Sequence, residues 1–153
     1  YSNAPQKWKI YSGNDFNFQY PPGWKAQQLT IANGELITIK PEALTEEIIY
    51  PQFIVQTQSA ANGALERKTS FLEALGLKKS ETTVNDLSAI KYSGTIPFKT
   101  SGGRTVQEPI QDTTYLFVKE ETLYLLKYEY EGSSVNQDLE AYFADFIESF
   151  KFN

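Results

Sequence analysis

Phe16-Asn17-Phe18-Gln19-Tyr20-Pro21-Pro22-Gly23-Trp24 is the stretch whose reading decides the fold. Phe16, Phe18 and Tyr20 alternate with polar Asn17 and Gln19, the period of two of a half-buried strand. Pro21-Pro22-Gly23 stops that strand and begins a tight turn, because proline presets φ and glycine accepts the positive φ that turns use. Trp24 follows at once. Just upstream, Trp8-Lys9-Ile10-Tyr11 reads as a short strand, and Ser12-Gly13-Asn14-Asp15 as the turn that joins the two.

Further along, Leu36-Ile37-Thr38-Ile39 is a strand ended by Pro41, and Glu42 to Tyr50 is a loop or short helical turn. Phe53-Ile54-Val55-Gln56-Thr57-Gln58 is rich in β-branched and aromatic types and reads as a strand. The period then changes. Leu65, Thr69, Leu72 and Leu75 recur every three or four residues, which predicts a helix over roughly 63–75, with Asn62 as N-cap and Gly76 closing the C-terminus. Leu87 to Ile96 is one long strand, and Thr100 to Arg104 a polar, Gly-rich tip. Thr113–Val118 and Thr122–Tyr130 are joined through Lys119-Glu120-Glu121 as a hairpin. On its second strand Tyr124, Leu126, Tyr128 and Tyr130 share one face, and Leu123, Leu125, Lys127 and Glu129 the other. That second face turns from apolar to charged, which predicts a strand running from beneath a packing element out to solvent. Ser134 and Gln137 have capping-box spacing, and Leu139, Phe143, Phe146 and Ile147 give an amphipathic helix over 135–148. Phe150 and Phe152 form a last short strand.

Two helices among several antiparallel strands define an α+β domain, an α-β-α sandwich with a central antiparallel sheet. The 153 residues suit one domain over 1–153, with an ordered core over about 8–152. Apolar residues are 41%, and ten phenylalanines, ten tyrosines and two tryptophans supply bulk for one core. There is no cysteine, histidine or methionine. This excludes disulfides, thiol nucleophiles, imidazole bases and histidine or thiolate metal sites. No cofactor is expected. A formal charge of −5 disfavours nucleic acid. The chain opens at Tyr1 instead of methionine, which reads as processing that removed a leader or an anchor.

Four constellations are candidates for function. In the first, Trp8, Tyr20 and Trp24 form an aromatic recognition surface or, as the bland alternative, core rings around a proline turn. In the second, Ser101-Gly102-Gly103-Arg104 is a hairpin tip, with Arg104 available to a partner; it lacks the spacing of a phosphate loop. The third is acidic, with Glu42, Glu46 and Glu47 in one cluster and Glu120, Glu121, Glu129 and Glu131 in another. Paired carboxylates serve glycoside hydrolysis only when they face each other across a cleft, and solvated surface is the default. No Dx[DN]xDG calcium loop is present. The fourth is the hairpin tyrosines Tyr115, Tyr124, Tyr128 and Tyr130, which read as amphipathic sheet residues.

Phe16-x-Phe18-x-Tyr20-Pro21-x-Gly23-Trp24 resembles the opening of the PsbP-like domain, of the Mog1/PsbP-like fold. The order of elements extends the resemblance from about 8 to the closing Ser149-Phe150-Lys151-Phe152. It implies a three-layer α-β-α domain that is not an enzyme and that acts by docking on a protein. Photosynthetic members attach to the lumenal side of photosystem II and support the oxygen-evolving complex. Nuclear members bind a small GTPase, and many bacterial members are exported proteins or lipoproteins. The resemblance implies a monomer on the periplasmic, envelope or thylakoid-lumen side, with a lipid anchor upstream. Histidine metal sites of photosynthetic members have no counterpart here. A carboxylate hydrolase and a carrier of a small ligand are the alternatives. The hydrolase requires a polar cleft and the carrier an interior cavity.

Overall fold

The computed structural model describes residues 7–32, 34–43, 51–97, 100–101, 104–105 and 108–153, with backbone alone at 100–101 and 104–105. Its strands are β1 (Lys9–Ser12), β2 (Phe16–Tyr20), β3 (Trp24–Ile31), β4 (Gly34–Pro41), β5 (Gln52–Ser59), β6 (Lys78–Val84), β7 (Leu87–Ile96), β8 (Thr100–Ser101), β9 (Arg104–Thr105), β10 (Ile110–Lys119), β11 (Thr122–Glu131) and β12 (Lys151–Phe152). The helices are α1 (Ala64–Ala74) and α2 (Gln137–Ser149). The main sheet is antiparallel, in the order β3-β4-β5-β11-β10-β7-β6. A smaller sheet, β1-β2-β12, and the pair β8-β9 complete the strands.

The helices lie on opposite faces of the main sheet. On the α2 face, Phe143, Phe146 and Phe150 join Phe16 and Phe18 of the small sheet over Ile37, Ile39, Phe53, Val55, Tyr124, Leu126 and Tyr128. Phe53 is at the centre, with ring centroids 4.8 Å from Trp24, 5.1 Å from Phe146 and 5.2 Å from Tyr128. On the α1 face, Ala64 and Leu72 pack with Leu77, Tyr92, Ile96, Ile110, Leu116, Leu123 and Leu125. This is the α-β-α sandwich expected from the sequence. The small sheet sits beside α2, tied to it by the Gln19 amide, which donates to Ser149 Oγ at 2.8 Å.

Local chemistry sets the helix ends. Leu77 N–H donates to Leu72 O and Gly76 N–H to Glu73 O, with Gly76 at φ 83°, which is a Schellman cap at the predicted glycine. At the N-termini the capping residues differ from expectation. Asn62 takes φ 60° and makes no side-chain cap, and the cap position of α1 is Gly63. For α2 the cap is Asn136, whose Oδ1 accepts from Leu139 N–H at 3.1 Å, in place of the Ser134–Gln137 box.

Two strands of the main sheet have no counterpart in the sequence reading. β3 and β6 are the edges of the main sheet, and Lys25-Ala26-Gln27-Gln28 and Lys78-Lys79-Ser80-Glu81 lack apolar alternation because an edge strand buries little. β11 also corrects an expectation. It is the middle strand of seven, flanked by β5 and β10, so its charged end does not emerge into solvent. Glu129 is 2% exposed.

Candidate functional site

The proline turn after β2 folds Trp24 inward. Its ring is 6% exposed, 4.8 Å from Phe53 and 6.2 Å from Tyr142. Trp24 is therefore a core residue and is removed from the candidate contact surface, because the turn that frees Tyr20 directs the next side chain under α2. Trp8 and Tyr20 are half-buried. Trp8 packs edge-on against Tyr142 of α2 at 5.8 Å, and both Tyr142 and Ile10 of β1 are exposed. Lys9 Nζ donates to Trp24 O at 2.9 Å and to Glu42 Oε1 at 3.0 Å, and lies 5.9 Å from the Tyr20 ring centre. Trp8 and Tyr142 thus form an aromatic corner beside the Lys9–Tyr20 contact, while Ile10, opposite Gln19 in the register, points from the other face of β1. Arg104 falls in β9, paired with Ser101, and its side chain lies outside the described residues.

The acidic clusters do not survive as drawn. Glu42 pairs with Lys9, while Glu46 and Glu47 lie outside the described residues. Glu120 and Glu121 form the turn at one end of the β10–β11 hairpin, and Glu129 and Glu131 stand at the other, roughly 30 Å away along a strand rising about 3.4 Å per residue. Glu129 instead faces Asp112 across the β10–β11 register. Asp112 Oδ1 accepts from Thr114 Oγ1 at 2.9 Å, its Oδ2 lies 3.2 Å from Lys127 Nζ, and Glu129 Oε1 accepts from Gln52 Nε2 at 2.7 Å. Asp112 is 1% exposed. Burial, with help from Glu129, raises its pKa above the usual carboxylate value, against the opposing pull of Lys127 and Thr114. On α1, burial and then the Lys127 charge hold the Lys68 pKa down. This charged block is internal. Its carboxylates are almost fully buried and Lys127 is paired with Asp112, although Asp112 Oδ2 makes no hydrogen bond among the described residues. Asp112 was legible only as an acid at an inward position of Ile110-x-Asp112-x-Thr114-x-Leu116.

The hairpin tyrosines are core rings: Tyr124, Tyr128 and Tyr130 are all buried, so they form no stacking platform for bases. The α2-side rings fill the space in which a small apolar ligand would have to sit. Among the described residues no group of three or more acids could hold a metal ion.

An acidic notch of about 410 Å³ opens at the Glu120–Glu121 turn. Asp15, Glu35, Glu120 and Glu121 line it, with Thr57, Ser59, Thr122 and Tyr124. The notch is assembled from the β1–β2 turn, the start of β4, the end of β5 and the β10–β11 turn. Ala60 N–H donates to Glu121 O at 2.8 Å, and Glu35 N–H to Thr57 Oγ1 at 3.2 Å. Gly34 is required at this wall, since a Cβ there would stand 1.8 Å from Thr57 O. The sequence reading grouped Glu120 and Glu121 with the wrong acids, because their true neighbours are about ninety residues away.

No family model matches the chain, and no curated protein matches it in sequence. Solved structures do match in fold. The solution structure of cyanobacterial PsbP from Synechocystis is similar at a TM-score of 0.63 and 10% identity, over 98% of this chain and 95% of that one. The crystal structure of LpqN, a Mycobacterium tuberculosis protein involved in cell envelope biogenesis, is similar at 0.52 and 11%, over 96% and 91%. A Bacteroides thetaiotaomicron crystal structure is similar at 0.54 and 8%, over 90% of this chain and 45% of the other, so this chain spans less than half of that protein. At these identities the likeness is one of fold, and the chain shares the fold of the PsbP-like and LpqN proteins.

Proposed function

We propose that the chain is a non-catalytic, exported domain that docks on another protein. The observation that carries this reading is the aromatic corner. Trp8 and Tyr20 are half-buried, and the exposed Tyr142 ring packs edge-on against Trp8. Rings of this kind, anchored from below and open above, are typical interface hot spots. The absence of histidine and cysteine from the sequence and the internal position of the Asp112–Lys127–Glu129 block support docking over catalysis. The Gly-rich tip with Arg104 is a second contact candidate.

Affinity capture on purified domain from solubilised envelope and thylakoid-type membranes tests this. The expected outcome is a reproducible protein partner whose recovery falls about tenfold or more in Trp8→Ala and Tyr142→Ala, with unchanged thermal melts. Recovery that is indifferent to both variants would remove the corner from the interface.

The partner's identity separates two finer readings. Similarity to cyanobacterial PsbP across 95% of that chain favours a photosystem II or oxygen-evolving-complex accessory role. Similarity to LpqN favours an envelope complex. In either reading the domain we propose is a monomer carried on an upstream lipid anchor.

A further inference from the structure

We propose that the open edge of β3 receives an extended segment of a partner protein, added to the seven-stranded sheet as a further antiparallel strand, with apolar side chains opposite Leu29 and Ile31 and an acidic one opposite Lys25. This surface is separate from the aromatic corner. The inference rests on the docking reading and names the kind of segment that docks.

The main chain of β3 is set out for such pairing. Gly23 O accepts from Glu42 N–H at 2.9 Å, and in step with it Lys25, Gln27, Leu29 and Ile31 turn their N–H and C=O groups toward β4. The alternate residues face outward. Trp24 O accepts from Lys9 Nζ at 2.9 Å, and the outward groups of Ala26, Gln28 and Thr30 have no protein partner among the described residues. Edge strands are commonly guarded against pairing by charge, proline or a bulge. β6, the opposite edge, carries Lys78, Lys79 and Glu81. β3 holds one charge, Lys25, near its start, has no proline, and keeps an unbroken one-to-one register with β4 from Trp24 to Ile31.

The sheet face beside that edge is open. Ile37 and Ile39 of β4 point into the α2-side core, so Leu36 and Lys40 point to the α1 side with their register partners Leu29 and Lys25. The α1-side core reaches Ile54 of β5 and takes no described residue of β3 or β4. Leu29 is accordingly 59% exposed. Charge sets the chemistry at the other end. Lys25 and Lys40 stand directly opposite each other, an unfavourable cross-strand pair, and neither is ion-paired among the described residues. A carboxylate on an added strand opposite Lys25 relieves that repulsion, whereas a basic residue there adds to it. Antiparallel addition continues the pattern of the sheet; main-chain bonds supply affinity and alternate side chains supply selectivity. Read from its N-terminus, the segment is therefore apolar-x-apolar-x-x-x-acidic.

The test is an amide-shift titration of the whole domain with acetyl-Val-Thr-Val-Thr-Thr-Thr-Glu-amide and with its counterpart ending in lysine. We expect saturable shifts and slowed amide exchange at Ala26, Gln28 and Thr30, and an affinity for the glutamate peptide about two- to fivefold above that for the lysine peptide. The double variant Lys25→Glu/Lys40→Glu should invert that preference, which a merely structural role for the lysines does not produce. Gln28→Pro removes the central outward N–H, spares the main-chain bonds to β4, and should abolish binding. Leu29→Ser, at an exposed position, should weaken both peptides with an unchanged melt, which keeps the test independent of whether Gln28→Pro folds. No saturable shift, shifts confined to other strands, or an unchanged peptide preference after the charge reversal would each overturn the proposal. A silent edge with partner capture intact removes the edge alone. Peptide binding at the edge without any captured partner removes the docking reading of the aromatic corner alone.

Discussion

The two faces of β11 solve burial in opposite ways. Toward α2, Tyr124, Leu126, Tyr128 and Tyr130 meet a continuous set of rings with centroids roughly 5–6 Å apart. Toward α1, Leu123 and Leu125 give way within one strand to Lys127 and Glu129, packed with Asp112, Thr114 and Gln52. The ring face gains from area and stacking, which are tolerant of small displacements. The charged face gains little net energy and holds only if each partner is present, because a buried charge without its mate is costly. The lesson is one of robustness: the first face should degrade gradually with side-chain size, the second abruptly with any single deletion.

The comparison can be broken first at its strongest points. Phe53→Ala empties the centre of the ring face and should cost about 3–5 kcal/mol in urea unfolding, whereas Phe53→Leu should cost clearly less. Lys127→Met keeps size but leaves Asp112 without its cation, and should cost about 3–5 kcal/mol. Replacing the block together, with Asp112→Asn added to Lys127→Met, should recover part of that loss. A recovery of zero would mean that the ion pair is not what holds this face.

A smaller effect sharpens the contrast. Tyr128 places a buried hydroxyl with no partner among the described residues inside the ring face, and burial raises its pKa. Tyr128→Phe should be neutral or should stabilise by about 1 kcal/mol. A marked loss of stability would show that the hydroxyl is satisfied in solution.

The weakest expected signal is the pH dependence of the charged face. Asp112 has a folded-state pKa above its unfolded value, so between the two the folded state binds more protons and its contribution to stability falls as pH rises. Relative to Asp112→Asn, the wild type should therefore gain stability as pH drops through the raised pKa. The gain should level off below about 3.9, the ordinary aspartate value. A difference curve of the opposite slope would mean that Lys127 and Thr114 outweigh burial.

These contrasts also explain what could be read in advance. The ring face was legible because a two-residue period of aromatics in Phe16-x-Phe18-x-Tyr20 and in Tyr124 to Tyr130 is a local signal. Gly76 was legible as a cap because its left-handed φ is a local requirement. Trp24 was legible only as one of two readings, a ring covering the sheet or a contact surface, and Phe53 and Tyr142 decide for the first. Of the candidate contacts, Trp8 and Tyr20 lie at the aromatic corner proposed to dock.

Periodicity, turn residues and composition by themselves determined an α+β domain with two helices, a hairpin-rich sheet and no thiol or imidazole chemistry. Each of these depends on residues within a few positions of one another. Only the tertiary structure decided that Lys25–Thr30 and Lys78–Thr83 are the sheet's edges, that Lys127 and Glu129 stand on its central strand with Glu129 buried, and that Asp15, Glu35, Glu120 and Glu121 share one opening. Polar edges carry no periodic signal, and a strand's central position and a notch's walls are set by pairings between distant segments. Local pattern does not encode those pairings.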